Sequence, residues 1–120
     1  MKSFYNMPDA EREVIEKLWD QKEPVKQSLL LTLFAEEGKE WKRQTLNTFL
    51  SRLEEKGLVR RENRMVTAVY SREEYNLMQM KAAIDHMYGG SLSNLVAAFT
   101  RENSISQKDA EELIKILENY

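Results

Sequence analysis

Arg43-Gln44-Thr45-Leu46-Asn47-Thr48-Phe49-Leu50-Ser51-Arg52-Leu53-Glu54-Glu55-Lys56-Gly57 carries a helical period on two faces at once. Leu46, Phe49, Leu50 and Leu53 recur at spacings of 3, 1 and 3, which places them in one apolar stripe. Gln44, Asn47, Thr48 and Ser51 repeat the same spacing on the opposite face, flanked by Thr45 and Arg52. Gly57 suits the left-handed residue that ends a helix. Leu58-Val59-Arg60-Arg61 and Val66-Thr67-Ala68-Val69-Tyr70 then read as two short strands around a polar turn, Glu62-Asn63-Arg64.

Upstream, the spacing predicts a helix from Pro8 to Trp19. Pro8 takes its first position, acidic residues face the positive end of the dipole, and Val14, Ile15, Leu18 and Trp19 form the buried side. Pro24 blocks continuation. A second helix over Lys26 to Ala35 buries Leu29, Leu30, Leu33 and Phe34, and Gly38 ends it. Three helices followed by a hairpin is the plan of a winged helix-turn-helix domain, here residues 1–71.

Downstream, Ser71-Arg72-Glu73-Glu74 is a capping box that starts a fourth helix running to Tyr88. Gly89-Gly90 stops it. A fifth helix covers Leu92 to Thr100, and a sixth, capped at Ser106, covers Gln107 to Asn119. The fold class is therefore mainly α: a winged domain followed by a three-helix region, residues 72–120. Leu77, Met80, Ile84 and Met87 form the seam of the fourth helix. Leu92, Leu95, Val96 and Phe99 line the fifth, and Leu113, Ile114 and Leu117 the sixth, with Ala110 beside them. Helices this short and this one-sided need a partner, and a second copy of the chain is the expected one. The methionines at helical spacing read as packing residues rather than a ligand pocket.

The chain has 120 residues, with 18 basic and 20 acidic side chains and a formal charge of −2. A globally basic nucleic-acid protein is excluded. The charge is uneven: residues 41–64 hold 7 Lys/Arg against 3 Asp/Glu, whereas residues 72–120 hold 5 against 8. Lys42, Arg43, Arg52, Arg60, Arg61 and Arg64 thus surround the third helix. There is no cysteine and a single histidine, His86, so thiolate sites are excluded, and neither a metal nor a cofactor is expected. Adjacent carboxylates such as Glu36-Glu37 and Glu54-Glu55 diverge on a helix and make no acid–base pair, so the chain does not read as an enzyme. No apolar run is long enough to span a membrane, and Met1 to Pro8 lacks the apolar stretch of a signal peptide, so the expected compartment is the cytoplasm.

A helix face that merely meets water usually carries Lys and Glu, which form helix well and pair along it. Short amides and hydroxyls are poorer helix formers, but they match base edges: Asn and Gln pair with adenine, and Thr meets the thymine methyl. The third helix therefore reads as a recognition helix. Gln44, Asn47, Thr48 and Ser51 face the bases with Thr45 at their flank, Lys42 and Arg43 stand at the helix start where a phosphate would neutralise them, and Arg52 can reach a guanine or a phosphate. Arg60, Arg61 and Arg64 are expected on phosphates or in the minor groove as a wing. A winged module used as a protein-interaction adaptor, without sequence-specific DNA binding, is the alternative.

The chain also resembles the penicillinase and methicillin-resistance repressors of bacteria over nearly its whole length. The resemblance rests on Ala10-Glu11, Val14 and Leu18-Trp19. It continues through Trp41, Thr45, Thr48, Leu50, Arg52, Leu53 and Gly57, then Arg61, Tyr70 and Ser71. Tyr88-Gly89-Gly90-Ser91, Leu95-Val96 and Phe99 complete it. It implies a homodimer that represses a dyad-symmetric operator, of β-lactamase or related resistance genes, with its C-terminal helices interlocked. Family members usually carry Ser or Thr before the first helix and Trp two positions after Ala10; Pro8 and Arg12 stand here. Lys42 replaces the Ser that often caps the recognition helix. β-Lactam-linked members answer to a membrane sensor-protease and are cut at an Asn-Phe bond, whose counterpart here is Ala98-Phe99. Copper-responsive relatives use C-terminal cysteines, which this chain lacks.

Overall fold

The computed structural model describes residues 7–119, so the opening stretch read above as lacking a signal peptide lies, up to Asn6, outside the described residues. The described residues form two compact units, one through Gln79 and one from Met80. The element order is α1 (Asp9–Trp19), β1 (Val25–Lys26), α2 (Gln27–Glu36), α3 (Arg43–Glu55), β2 (Val59–Glu62), β3 (Met65–Ala68), α4 (Arg72–Met87), α5 (Leu92–Glu102) and α6 (Gln107–Glu118). Every helix expected from the sequence is present. A winged helix plus a helical C-terminal region is the fold.

The first unit builds one core. Val14, Ile15 and Leu18 of α1, Leu30 and Phe34 of α2, and Leu46, Leu50 and Leu53 of α3 are buried together with Leu58, Val59 and Val66 from the wing. Two details of the expectation change. Pro8 stands just before α1 rather than inside it: its carbonyl accepts from Arg12 N–H at 3.0 Å, and its ψ of 149° is extended. Leu29 belongs to no core stripe and is 49% exposed, because α2 turns only its Leu30–Phe34 edge inward. Beside that edge Phe34, Trp41 and Phe49 meet in a row, one pair tilted and the other edge to face, with ring centroids 4.6 and 5.1 Å apart. This fastens α2 and the loop before α3 to the flank of α3.

The sheet has three strands where the sequence suggested two, in the order β1-β3-β2 and antiparallel throughout. Val25 pairs with Val66 and Lys26 with Met65. The two residues of β1 carry no period of their own, so only the pairing reveals them. Between β2 and β3 the chain reverses through Asn63 and Arg64, at φ values of 53° and 67°. Positive φ at both central residues defines the type I′ hairpin, whose twist matches that of the strands.

The junction between α3 and the wing is equally determined. Gly57 sits at φ 77°, its N–H donates to Glu54 O at 3.0 Å, and Leu58 N–H donates to Leu53 O at 2.9 Å. This is the Schellman arrangement, and the buried Leu53 and Leu58 supply its apolar contact. It fixes the direction in which the wing leaves the helix.

One buried charge was not legible. Glu11 in α1 reads as a solvent-facing acid that complements the helix dipole, yet it is 1% exposed. Its carboxylate accepts from Lys56 Nζ at 2.5 Å, and Lys56 is the residue closing α3. The start of α4 is also held to this unit. Ser71 and Glu74 form the expected reciprocal box, Ser71 N–H to Glu74 Oε1 at 2.9 Å and Glu74 N–H to Ser71 Oγ at 3.1 Å. Trp19 Nε1 donates to Tyr70 O at 2.9 Å, and the Trp19 ring lies 5.3 Å from that of Tyr75. Burial pushes the Tyr75 hydroxyl above its ordinary pKa of 10.0, with the Arg12 charge pulling the other way.

In the second unit α4 ends at Gly89 and Gly90, where Gly90 N–H reaches back to Ile84 O at 3.1 Å. Ser91 and Ser106 cap α5 and α6 by accepting from Asn94 and Asp109 N–H. Neither helix buries a single residue fully. Met80, Met87, Leu92, Phe99, Leu113, Ile114 and Leu117 are exposed, and Ile84, Leu95 and Val96 are half-buried. Leu77, in the same α4 seam but in the first unit, is 72% exposed. Among the described residues no helix is long and apolar enough to cross a membrane.

Candidate nucleic-acid interface

Because Leu46, Leu50 and Leu53 are sealed in the core, the far side of α3 must face outward. Gln44, Asn47 and Thr48 are exposed there, and Thr45 and Ser51 are half-buried at the margins. Thr48 Oγ1 donates to Gln44 O at 3.0 Å, so its hydroxyl proton is spent within the helix. What it offers outward is an acceptor oxygen and a methyl group. Lys42 sits in the N-cap position without a side-chain cap bond, and the first turn carries no acid. The positive end of α3 and the charges of Lys42 and Arg43 are therefore left uncompensated locally.

A cleft of about 720 Å³ opens beside this face. Lys26, Gln27 and Ser28 at the start of α2, Arg43 on α3, and Asn63 and Arg64 at the hairpin tip line it. Gln27 N–H donates to Arg64 O at 3.2 Å, which locks the tip of the wing to the start of α2. Three cationic side chains thus converge on one recess. The sequence reading named Arg43 and Arg64 but missed Lys26, because only the β1–β3 pairing brings the α2 start to the wing.

Strand parity separates the wing arginines. Side chains alternate along β2, so Val59 and Arg61 share one face and Arg60 and Glu62 the other. Val59 points into the core. Arg61 lies on that same face and meets α3, donating to Asn47 Oδ1 at 2.7 Å, Ser51 Oγ at 2.9 Å and Glu54 Oε1 at 2.9 Å. Arg60 stays exposed and pairs loosely with Glu62 at 3.6 Å. Arg52 is exposed on α3 itself. Ala98 and Phe99 lie within α5, Phe99 being 54% exposed. No group of His, Cys, Asp and Glu suited to a metal ion occurs among the described residues.

The family model for the penicillinase repressor matches residues 7–119, which are all the described residues. The chain belongs to the penicillinase repressor family. This is a family of DNA-binding transcriptional repressors, not of enzymes. Similar proteins include the methicillin resistance regulatory protein MecI of Staphylococcus aureus strain N315, 28% identical over 117 residues that cover 94% of each chain. The penicillinase repressor of Bacillus licheniformis is 26% identical over 124 residues, covering 100% of this chain and 95% of that one. The penicillinase repressor of Staphylococcus aureus is 25% identical over 112 residues, or 90% and 87% of the two chains.

Proposed function

We propose that this repressor acts as a homodimer on a dyad-symmetric operator, in the cytoplasm, laying one α3 in the major groove of each half-site. The observation that carries the proposal is the outward row of Gln44, Asn47 and Thr48 on a helix whose opposite face is sealed in the core at Leu46, Leu50 and Leu53. Thr45 and Ser51 border that row. The cleft formed by Lys26, Arg43 and Arg64 suits a backbone phosphate beside the groove, and Lys42, Arg52 and Arg60 extend the same positive rim. A phosphate there compensates the helix start that the fold leaves uncapped.

The exposed apolar side chains of α4, α5 and α6 support the dimer. Phe99 and Ile114 are each 54% exposed, and so many exposed large apolar groups on consecutive helices mark an association surface. Pairing across a two-fold axis would present two α3 helices about one DNA turn apart, or a multiple of it. By resemblance, the reading extends to resistance genes as targets, a membrane sensor-protease as the upstream partner and inactivation by cleavage at Ala98-Phe99. Phe99 keeps the family's aromatic and Ala98 replaces its Asn. The bond lies inside α5, so the helix must open locally before a protease can hold it.

The test is a titration of the chain on a duplex from its own upstream region, against a scrambled duplex and one with a single half-site replaced. Preference for the intact duplex, lost with either half-site, is expected. Equal weak binding to all three would contradict the reading and favour the adaptor.

A further inference from the structure

Every nitrogen of the Arg61 guanidinium donates to α3: Nη1 to Asn47 Oδ1 at 2.7 Å, Nη2 to Ser51 Oγ and Glu54 Oε1, both at 2.9 Å, and Nε to Glu54 Oε1 at 3.3 Å. An arginine free to grip phosphate would keep its fork turned outward. This one is half-buried, at 21% side-chain exposure, and its charge is met by Glu54. We propose that the Arg61–Glu54 pair orients Asn47 to present its amide as a hydrogen-bond donor, so that Arg61 sets base preference at one operator position without itself holding DNA. The proposal rests on the DNA-binding reading above.

The chemistry fixes the orientation. A guanidinium has donors only and stays charged, so the atom facing it must be an acceptor. A flipped Asn47 would set its NH₂ against the guanidinium N–H, donor against donor. The oxygen is therefore held toward Arg61 by a short charge-assisted bond, and Nδ2 turns away from it. Ser51 follows the same logic. Its oxygen accepts from Arg61, which leaves its hydroxyl proton to donate.

This alters what the helix reads. An unconstrained Asn pairs with adenine through both halves of its amide, giving to N7 and accepting from N6. With the oxygen held on the wing side, Asn47 turns its donor, not its acceptor, away from the wing. Its partners are then groove acceptors: guanine offers two, O6 and N7, and thymine offers O4, whereas adenine offers N7 alone beside an N6 donor that Asn47 no longer accepts from. Arg61 is a positioning residue in this scheme, and Glu54 completes it by neutralising the fork and holding it from the far side.

The experiment is binding-site selection from a randomised duplex library with the full chain, followed by salt titrations on the selected site. Asn47→Ala maps the operator position concerned, as the one whose preference it abolishes. The wild type should select guanine or thymine there. Arg61→Ala, and Arg61→Met as a variant that keeps the apolar stem packed, should free the oxygen and move the preference toward adenine by about tenfold. The log–log salt slope should stay the same, because no phosphate contact is lost. Adenine selected by the wild type, or a preference that neither variant changes, would overturn the proposal alone. So would a slope reduced by about one phosphate, which would place Arg61 on the backbone. A wild-type chain that enriches no sequence would overturn the DNA reading and this inference with it.

Discussion

Lys56→Met leaves the Glu11 carboxyl group buried and without its ammonium partner. Breaking a buried ion pair by removing one partner costs about 3–5 kcal/mol when both groups are sealed from water. Glu11 is sealed, at 2% side-chain exposure, whereas the Lys56 side chain is 26% exposed, so water can partly replace the lost amine. The expected loss is therefore nearer 2–3 kcal/mol, to be read as a fall of about 1.5 M in the urea midpoint of a domain this size. Trp19 and Trp41 pack against the same core and report its unfolding by fluorescence. All variants must be compared at one chain concentration, since association stabilises the folded form by mass action. Glu11→Leu combined with Lys56→Met should recover most of the loss, because apolar groups of similar volume fill such a site about as well as the pair does. A Lys56→Met loss of about 0.5 kcal/mol or less, the scale of an exposed ion pair, would refute the claim that this contact anchors the end of α3.

Leu50→Ala, at a fully buried α3 position, should cost about 2–5 kcal/mol in the same assay while leaving the selected operator sequence unchanged. Ile114→Glu should place a charge in the exposed apolar face of α6 and shift the chain toward monomer in sedimentation, with loss of preference for the two-half-site duplex. Tyr75 has a folded pKa above 10.0, so its contribution to stability is complete below pH 10 and declines as pH rises through the folded value. Tyr75→Phe should lose stability less steeply than the wild type as pH rises above 10 in urea titrations at successive pH.

The helices were legible because each carries its own period and its own punctuation: Leu46, Leu50 and Leu53 on one side of α3, Gly57 at its end, Ser71 and Glu74 at the start of α4. What escaped the sequence depends on pairings distant along the chain. β1 is two residues long and exists only through Val66 and Met65. Without it, Lys26 could not be placed beside Arg43 and Arg64. Glu11 looks like any acid in a first helical turn, and only the return of Lys56, 45 residues later, shows why it is buried. The wing arginines were legible as a group, but their division was not. Parity along β2 turns Arg61 to α3 and Arg60 to solvent, and parity cannot be assigned before the register of the hairpin is known.

The most direct test of the central claim is the salt dependence of binding to the chain's own upstream duplex. Lys26, Lys42, Arg43, Arg52, Arg60 and Arg64 surround α3, and the proposed dimer doubles them. The account predicts sequence-preferring binding whose log–log slope against salt is steeper than about −4, since each phosphate engaged contributes about −0.9. Binding that ignores both sequence and salt would contradict it.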